Sequence, residues 1–315
     1  MSLKHTARAA TARALTRHAR LVKRGLLALG RERSPVLPEI VQIEATNICN
    51  AKCVFCPRDE MGRALGIMSM DLFRKVADEC AALGIGHVRM HNYGEAFVDR
   101  KLVEKIRYAK QIGIPEVGVI SNGSLITEDV AHGMIEAGLD AINISLDAAG
   151  REVFETTRVG LKYDKVMAAV ERILRIREEL GRTHPKLILS FVRQNNSDEE
   201  HAFIERWRAR ADKVHVTDLH NWAGTLHTES SVNFPCYRLW LTFTVLWDGR
   251  VSLCCADFDG REILGDLRTS TIAEIWNGER YREVRRAHLD HGGPSICQSC
   301  DLPKKDSPLW ITKIL

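Results

Sequence analysis

Three cysteines, Cys49, Cys53 and Cys56, lie within eight residues and directly follow the apolar run 40–46. A loop that leaves a strand can bring such closely spaced thiolates onto one metal centre. Four protein ligands close a structural zinc site or a simple iron–sulfur cluster, so three thiolates leave one metal position open. The spacing therefore favours iron, with an open position that a group other than the protein occupies.

Several polar motifs follow the predicted strands at their carboxyl ends, where a barrel of parallel strands gathers its catalytic groups. In chain order they are Tyr93-Gly94-Glu95, Ser121-Asn122-Gly123, Ser145-Leu146-Asp147, Gln194-Asn195-Asn196, and the group Asp218, His220, Asn221 and Trp222. Each motif on its own also has an ordinary structural explanation. Ser-Asn-Gly is a common turn sequence, and a carboxylate in an exposed ion pair adds little to the stability of a fold. Their order behind a three-cysteine loop is the informative feature.

The Cys-x3-Cys-x2-Cys spacing, with Phe55 before the last cysteine, resembles the signature of the radical S-adenosylmethionine (radical SAM) enzymes. This resemblance implies a [4Fe–4S] cluster held by three irons, with the fourth iron chelated by S-adenosylmethionine. Gly94 and Glu95 match the end of the family's Gly-Gly-Glu motif, which receives the cofactor's ammonium group; Tyr93 replaces its first glycine. The residues that the resemblance assigns to the cofactor are Phe55, Gly94, Glu95, Ser121, Asn122, Ser145, Asp147, Arg158 and Asn195.

A second cysteine set lies towards the end of the sequence. Cys236, followed by Gly249 and Cys254, resembles the opening of the SPASM/twitch extension of radical SAM proteins, and Cys297 and Cys300 supply the later pair. A full SPASM domain continues with further cysteines, whereas none follows Cys300 in this sequence. The four cysteines suffice for one closed auxiliary [4Fe–4S] cluster, the shortened twitch arrangement. A zinc site made by the same four thiolates is the alternative that the spacing leaves open.

Two cysteines remain. Cys80 falls at core spacing with Phe73 and Val76, so we expect a small buried hydrophobe. Cys255 adjoins the predicted ligand Cys254, and alternation along a strand would point its side chain to the opposite side of the backbone. Three interpretations of Cys255 stay open: an alternative ligand, an idle core thiol, or a hydrogen donor to a substrate radical.

Length and composition set the class of protein. The 315 residues are 45% hydrophobic, which is enough for one large domain or two unequal ones. No apolar run reaches the ~18 residues of a membrane span, and no secretory signal is evident. The bunched cysteines favour metal ligation in a reducing compartment, hence the cytoplasm, over scattered disulfides. The net charge of +4 is too small to indicate a nucleic-acid partner.

From Pro38 onward, strand-like and helix-like segments alternate, which is typical of a parallel sheet with crossover helices. The predicted strands are 40–45, 87–91, 117–121, 141–145, 187–192 and 214–216, and the predicted helices are 70–83, 101–112, 128–137, 163–180 and 198–211. This α/β pattern matches the partial (β/α)6 TIM-like barrel that the resemblance implies. A hairpin of strands 241–246 and 250–254, a helix over 270–287 and a Cys-rich segment follow.

We accordingly divide the chain into a basic N-terminal extension (1–37), a radical SAM partial barrel (38–225) and a small twitch-type domain (226–315). The extension has no acidic residue before Glu32, and its arginines recur at helical spacing. A helix packed on the outside of the barrel is the favoured interpretation. A membrane-surface helix or a partner-docking helix is the alternative.

By the resemblance, a 5′-deoxyadenosyl radical takes hydrogen from a C–H bond of the substrate. We favour a small, polar, carbohydrate-like substrate and epimerisation of a carbinol carbon with Cys255 as hydrogen donor. Alcohol dehydrogenation with the auxiliary cluster as electron acceptor is the alternative, followed by peptide modification. A low-potential donor such as flavodoxin or ferredoxin would supply electrons.

The candidate substrate contacts are His91, Asn92, Asp218, His220, Asn221 and Asp257. The non-enzyme alternative is a zinc-binding interaction protein.

Overall fold

The structure, a computed structural model, describes residues 37–194, 197–226 and 235–302 of the 315. Residues 1–36 of the basic extension and Asn195 lie outside these ranges, so the predictions made for them are not addressed by the structure. Within the same ranges, no helix combines the length and hydrophobicity that crossing a bilayer requires.

The described chain alternates strands and helices over most of its length. The strands are β1 (Ile40–Ile43), β2 (Lys52–Cys53), β3 (His87–Met90), β4 (Glu116–Ser121), β5 (Ala141–Ser145), β6 (Arg158–Val159), β7 (Lys186–Arg193), β8 (Lys213–Asp218), β9 (Thr242–Val245), β10 (Arg250–Ser252) and β11 (Ile263–Asp266). The α-helices are α1 (Met70–Ala82), α2 (Leu102–Gln111), α3 (Glu128–Glu136), α4 (Arg151–Thr157), α5 (Tyr163–Glu179), α6 (Ser197–Trp207), α7 (Arg238–Leu241), α8 (Ile272–Trp276), α9 (Glu279–Leu289) and α10 (Ser295–Gln298). Short 3-10 helices span Pro57–Glu60 and Ala96–Val98.

A nine-stranded sheet runs in the order β11-β10-β9-β1-β3-β4-β5-β7-β8. The six strands from β1 to β8 in this order pair in parallel, which confirms the predicted six-step α/β barrel. Strand β1 is buried along its whole length, as expected of a strand covered on both faces. The helices begin where short polar side chains cap them, as when Ser69 accepts a hydrogen bond from the backbone N–H of Leu72 at the start of α1.

The C-terminal segment continues the same sheet rather than forming a separate one. Strand β9 pairs in parallel with β1, and β10 then pairs antiparallel with both β9 and β11. The predicted hairpin is thus present, but β11 and the pairing of β9 with β1 were not foreseen. The predicted helix over 270–287 is two helices, α8 and α9, separated at Asn277 and Gly278. Strand β9 thus joins the C-terminal segment to the barrel through β1.

Candidate active site

The three-cysteine loop leaves β1 and is held against the barrel rim by a small second sheet. Its two strands, β2 and β6, place Cys53 directly opposite Arg158. The backbone N–H of Cys56 donates to the carbonyl oxygen of Cys53 at 3.0 Å, which folds the loop back on itself. All three cysteines are half-buried and carry free thiols. The loop therefore presents three thiols at one site on the C-terminal side of the barrel.

The electrostatics of these thiols suit a cationic cluster. Burial raises the pKa of Cys49 and Cys53, and raises that of Cys56 to about 11. The negative charges of Cys53 and Cys49 contribute to the raised pKa of Cys56, so the three sulfurs lie close enough to repel one another as thiolates. A bound iron cluster would remove this penalty, because metal ligation deprotonates a thiol.

A buried ion pair stands next to the first cysteine set. The guanidinium of Arg158 pairs with the carboxylate of Asp147 and also donates to Cys53 Sγ at 3.6 Å. Asp147 sits in the left-handed backbone region with φ 58°, and its second oxygen accepts from the backbone N–H of Val192 at 2.8 Å. Burial raises the pKa of the Asp147 carboxyl, and the charge of Arg158 opposes that shift. The Nε of Arg158 has no hydrogen-bond partner among the described residues, which leaves a buried donor for an anionic cofactor group.

Gly94 and Glu95 lie beneath the same loop. A Cβ at position 94 would stand 2.2 Å from the carbonyl oxygen of Thr46, so only glycine fits there. Glu95 is buried, and its carboxylate accepts from the Ser121 hydroxyl and the Asn122 backbone N–H, each at 2.6 Å. Burial raises the pKa of Glu95, while these hydrogen bonds oppose the shift. The structure thus brings two of the predicted cofactor motifs, Tyr93-Gly94-Glu95 and Ser121-Asn122-Gly123, into one network.

The network extends to the cysteine loop itself. The side-chain amide of Asn122 donates to Asn50 Oδ1 at 2.9 Å, and Asn50 donates to the Ser124 hydroxyl at 2.8 Å. Ser145 lies at the end of β5, two residues before Asp147. Phe55 borders a cavity inside the barrel, which is described below. Its backbone carbonyl accepts a hydrogen bond from the indole N–H of Trp222 at 2.7 Å. Asn122 and Arg158 therefore contact the cysteine loop directly, and Glu95 and Ser121 join it through Asn122.

The second cysteine set also converges. Burial raises the pKa of Cys254, and the charges of Cys255, Cys300, Cys297 and Cys236 also raise it, so Cys254 lies near all four of these thiols. The pKa of Cys300 is raised to about 12 by burial and by the charge of Cys236. The four thiols of this set fit a closed iron–sulfur cluster, which needs four ligands. Among the described residues, no three His, Cys, Asp or Glu side chains are arranged so that they could coordinate one metal ion.

A cavity of about 230 Å³ opens inside the barrel between the two cysteine sets. Of the predicted substrate residues, His91, Asn92, Asp218 and His220 line it, and Trp222 adds an aromatic wall. The rings of His220 and Trp222 lie 4.0 Å apart between centroids. Burial, followed by nearby arginine charges, lowers the pKa of His91 to about 3, so this imidazole is neutral at physiological pH.

Cys255 also borders this cavity, although Cys254 beside it joins the four-thiol set. The Nη1 of Arg238 donates to Cys255 Sγ at 3.1 Å. Cys254 and Cys255 lie in the turn after β10 (Arg250–Ser252) and not on the strand, so strand alternation does not separate them, and the charge of Cys255 raises the pKa of Cys254. Cys80, in contrast, is fully buried in α1 among core residues.

Two predicted substrate residues do not line the cavity. Asp257 is fully buried, and its two oxygens accept from the backbone N–H groups of Arg261 and Glu262 at 2.8 and 3.0 Å, so it shapes the loop after β10. Asn221 is also fully buried; its amide donates to the Ser299 carbonyl at 2.6 Å, and its backbone N–H donates to Asp301 at 2.9 Å. Asn221 thus fastens the barrel to the segment that carries Cys300.

Among the cavity residues that the sequence did not indicate, three have long amide or guanidinium side chains: Gln42, Arg89 and Arg238. Gln42 and Arg89 are register partners on the neighbouring strands β1 and β3. A signal was available, because a polar residue at an inward position of a predicted parallel strand is unusual. Arg238 lies in a four-residue helix that no local pattern predicts.

Comparison with protein families places both cysteine sets in known domains. The model of the Radical SAM superfamily matches residues 43–184, and the SPASM model, an iron-sulfur cluster-binding domain, matches residues 236–301. The first range includes the three-cysteine loop, and the second includes all four cysteines of the later set.

Curated relatives align with part of the chain. The "Probable GTP 3',8-cyclase" of Saccharolobus solfataricus is 31% identical over 183 residues, which are 58% of this chain and 57% of that protein. The protein of the same name from Methanocella arvoryzae is 26% identical over 193 residues, which are 61% of this chain and 60% of that protein. The chain therefore spans less than two thirds of the length of these relatives.

Solved structures share the fold. BtrN in complex with AdoMet and 2-DOIA has a TM-score of 0.61 at 18% identity, covering 84% of this chain and 93% of that one. Streptococcus suis SuiB bound to the precursor peptide SuiA has a TM-score of 0.69 at 12% identity, covering 91% of this chain and 75% of that one. At such low identities the likeness concerns the fold alone.

Proposed function

Since this chain belongs to the radical SAM superfamily and carries a SPASM cluster-binding domain, we propose that it is an enzyme that modifies a small, polar, carbohydrate-like substrate at a C–H bond. The favoured reaction is epimerisation of a carbinol carbon. The observation that carries this proposal is the position of Cys255, whose thiol borders the barrel cavity beside Arg238. The cavity's volume of about 230 Å³ suits a small substrate, since sites for drug-sized ligands enclose roughly 300–1,000 Å³.

Cys49, Cys53 and Cys56 would hold the first [4Fe–4S] cluster, and Cys236, Cys254, Cys297 and Cys300 the auxiliary one. When bound, the first cluster and S-adenosylmethionine supply the radical that removes a hydrogen atom from the substrate. Glu95 and Arg158 would orient the cofactor's ammonium and carboxylate groups. Both are buried and fixed by neighbours, so they offer a pre-organised binding site.

Cys255 would complete epimerisation by returning a hydrogen atom to the opposite face of the substrate carbon. In that step the S–H bond breaks homolytically, a new C–H bond forms, and a thiyl radical remains on Cys255. The thiyl radical returns to a thiol by taking one electron from a low-potential donor protein of the flavodoxin or ferredoxin class and one proton from solvent. Arg238, which donates to the sulfur at 3.1 Å, would hold Cys255 in place for this transfer.

Alcohol dehydrogenation is the second candidate, and the adjacency of Cys254 and Cys255 favours it. Cys254 belongs to the four-thiol set while Cys255 borders the cavity, so an electron leaving a substrate radical has a short path to the auxiliary site. In this reaction the substrate alcohol would lose one hydrogen atom to the adenosyl radical, one electron to the auxiliary site and one proton to solvent, and would become a ketone without consuming Cys255. Peptide modification ranks third, because the cavity is small for a peptide.

Deuterium labelling separates the two leading reactions. Reconstituted protein is supplied anaerobically with S-adenosylmethionine, a low-potential reductant and a panel of sugars and aminocyclitols in deuterated water. One deuterium at a single inverted carbon supports hydrogen return by Cys255, whereas an unlabelled ketone supports oxidation. Cys255→Ala should abolish the inverted product while 5′-deoxyadenosine still forms.

Cys80→Ala is the matched control, because it removes a buried thiol that lies in α1 and not at the cavity. It should leave product formation intact. Full epimer formation by Cys255→Ala would remove this thiol from the mechanism, and failure of the native protein to cleave S-adenosylmethionine would end the enzyme proposal.

A further inference from the structure

The segment 57–69, which links the first cysteine set to α1, lies between the barrel and the loop that follows β10. On the barrel side, the backbone N–H of Gly66 donates to Asn47 Oδ1 at 2.8 Å. On the other side, the backbone N–H of Gly62 donates to Asp259 Oδ1, also at 2.8 Å. The segment therefore joins the two cysteine-bearing parts of the chain.

Arg63 stands at the centre of this segment and is bonded to both parts. Its two terminal guanidinium nitrogens donate to the carboxylate of Glu44 at 2.6 and 2.5 Å, and its Nε donates to the backbone carbonyl of Phe258 at 2.6 Å. Glu44 precedes Cys49 by five residues, and Phe258 follows Cys255 by three. One side chain thus ties the start of the first cysteine loop to the loop that carries the cavity thiol.

The ion pair between Arg63 and Glu44 is shielded from water, with side chains that are only 4% and 0% exposed. A buried pair adds little net stability, because the loss of hydration offsets much of the attraction. What a guanidinium supplies is geometry, since its N–H donors lie in one plane at fixed angles and engage both carboxylate oxygens at once. The pair is therefore suited to hold two chain segments at a fixed spacing.

Glu44 extends this link to the cavity. The side-chain amide of Asn92 donates to Glu44 at 3.3 Å, and Asn92 Oδ1 accepts from the Gln42 amide at 3.2 Å. Both amides line the cavity. Because an ionised carboxylate only accepts hydrogen bonds, Glu44 sets which end of the Asn92 amide faces it. Arg63 and Glu44 therefore also fix a polar part of the cavity wall.

A second contact leads from Arg63 towards Cys255. The guanidinium carbon lies 5.9 Å from the centroid of the Tyr93 ring, within the range of a cation–π interaction. The Tyr93 phenol donates to the backbone carbonyl of Cys255, and the Tyr93 ring packs against that of Phe258. Displacing Arg63 would therefore loosen the support of Cys255 at two points.

We propose that Arg63 is a positioning residue. Paired with Glu44, it fixes the loop 254–259, which carries Cys254 and Cys255, against the start of the first cysteine loop. It thereby sets where the cavity thiol stands relative to the two cysteine sets. This inference rests on the proposed function, because it identifies what holds the proposed hydrogen donor in place. Neither Arg63 nor Glu44 is a cluster ligand in that proposal, so both act through the loop.

Hydrogen–deuterium exchange of the reconstituted protein under anaerobic conditions, read by mass spectrometry, tests the inference. We expect Arg63→Gln and Glu44→Gln each to speed exchange of the backbone amides in 254–262 by roughly tenfold, the factor that one hydrogen bond to a charged group represents. The amides of α1 should exchange at the native rate, and the iron content should stay at about eight per chain. The double variant should resemble either single one, because the two side chains act as a unit.

Electron paramagnetic resonance supplies a readout that a general loss of stability does not change. Two reduced clusters relax each other, and this effect falls steeply with the distance between them. Arg63→Gln should therefore lower the microwave power at which the signal of the auxiliary cluster saturates. Arg63→Lys, which keeps the charge but lacks the planar fork, should recover part of the native value. Arg175→Gln, which changes a half-exposed ion pair on α5, is the control and should match the native protein in both measurements.

Native exchange in 254–262 of a folded Arg63→Gln would overturn the inference. An equal rise of exchange in 254–262 and in α1 would also overturn it, as would unchanged saturation of the auxiliary signal. If the Arg63 and Glu44 variants do not fold, Asp259→Ala decides the matter, because it removes the bonds that the same segment makes from the other side. It should speed exchange in 254–262, and native exchange there would count against the proposal.

The proposed function is judged separately, by the formation of 5′-deoxyadenosine. If the native protein cleaves S-adenosylmethionine while the variants exchange like the native protein, only the positioning role is refuted. If the native protein does not cleave S-adenosylmethionine, the proposed function is refuted, and exchange in the variants still decides whether Arg63 holds the loop.

Discussion

The phenol of Tyr93 donates a hydrogen bond to the backbone carbonyl of Cys255. Tyr93 follows β3 and directly precedes Gly94 and Glu95, so this bond joins the proposed cofactor side of the barrel to the segment that carries the cavity thiol. The Tyr93 ring also packs against Trp222 and Phe258, with centroids 5.5 and 6.0 Å away. The residue that replaces the first glycine of the family motif thus positions Cys255.

Tyr93→Phe keeps the ring and removes only the hydroxyl, which leaves the Cys255 carbonyl without its donor. We expect a loss of about 1 kcal/mol in the free energy of unfolding. We also expect a several-fold rise in the ratio of 5′-deoxyadenosine to product, because Cys255 is less well placed. Tyr163→Phe is the control: its hydroxyl donates to the Ala149 carbonyl at 3.0 Å, away from the cavity. Equal ratios in both variants would assign Tyr93 a purely structural role.

Gly94→Ala should damage the first cluster site. The added Cβ would meet the Thr46 carbonyl oxygen at 2.2 Å and the Ile48 carbonyl oxygen at 2.9 Å, so the backbone leading into the cysteine loop must move. Overpacking of this kind costs roughly 1–3 kcal/mol. We expect iron bound at the first site to fall by half or more, as measured by iron analysis after reconstitution. Gly86→Ala is the matched control, since nothing lies within 4 Å of its added Cβ; equal iron loss in the two variants would contradict the explanation.

The order of the barrel and the two cysteine sets could be predicted from sequence because each depends on local patterns. Alternating hydrophobic segments indicate parallel strands with crossover helices, and short cysteine spacings indicate shared ligation. The pairing of β9 with β1 was not predictable in this way, because the two strands are about 200 residues apart. For Arg89 a polar residue within a predicted parallel strand was a signal, but its neighbours in the barrel, Gln42 and Gly118, lie on strands that are distant in sequence.

The fate of Asp257 illustrates a limit of positional reasoning. Its place just after Cys254 and Cys255 suggested a substrate contact. In the structure its carboxylate instead accepts from two backbone N–H groups of its own loop. A carboxylate that caps a turn and one that binds a ligand look alike in sequence, because both follow a strand.

His215, on β8, should make stability depend on pH. Burial and, as the smaller cause, the charge of Lys213 lower its pKa to about 4. Below pH 6.5 the unfolded chain binds a proton here that the folded chain does not, so stability falls as the pH decreases from about 6.5 towards 4. The expected loss is about 1 kcal/mol between pH 6.5 and 5.5.

Urea unfolding of native protein and His215→Gln at these two pH values measures this effect. The variant should lose about 1 kcal/mol less than the native protein over the interval. His132→Gln changes a half-exposed histidine on α3 and serves as control. An equal pH dependence in native protein and His215→Gln would contradict the assignment.

Cys254 and Cys255 provide the sharpest test of the two-site arrangement, because they are neighbours in sequence with different surroundings. Native protein should bind about eight irons and eight sulfides, which corresponds to two four-iron clusters. Cys254→Ala removes a thiol that interacts with Cys236, Cys297 and Cys300, so the iron content should fall to about four. Cys255→Ala removes the thiol at the cavity and should retain about eight.

Anaerobic iron and sulfide analysis gives the numbers, and electron paramagnetic resonance of the reduced proteins shows which signal is lost. Loss of iron from Cys255→Ala but not from Cys254→Ala would exchange the two roles and remove the proposed hydrogen donor. Zinc in place of iron at the four-thiol set would exclude an electron-accepting role for it.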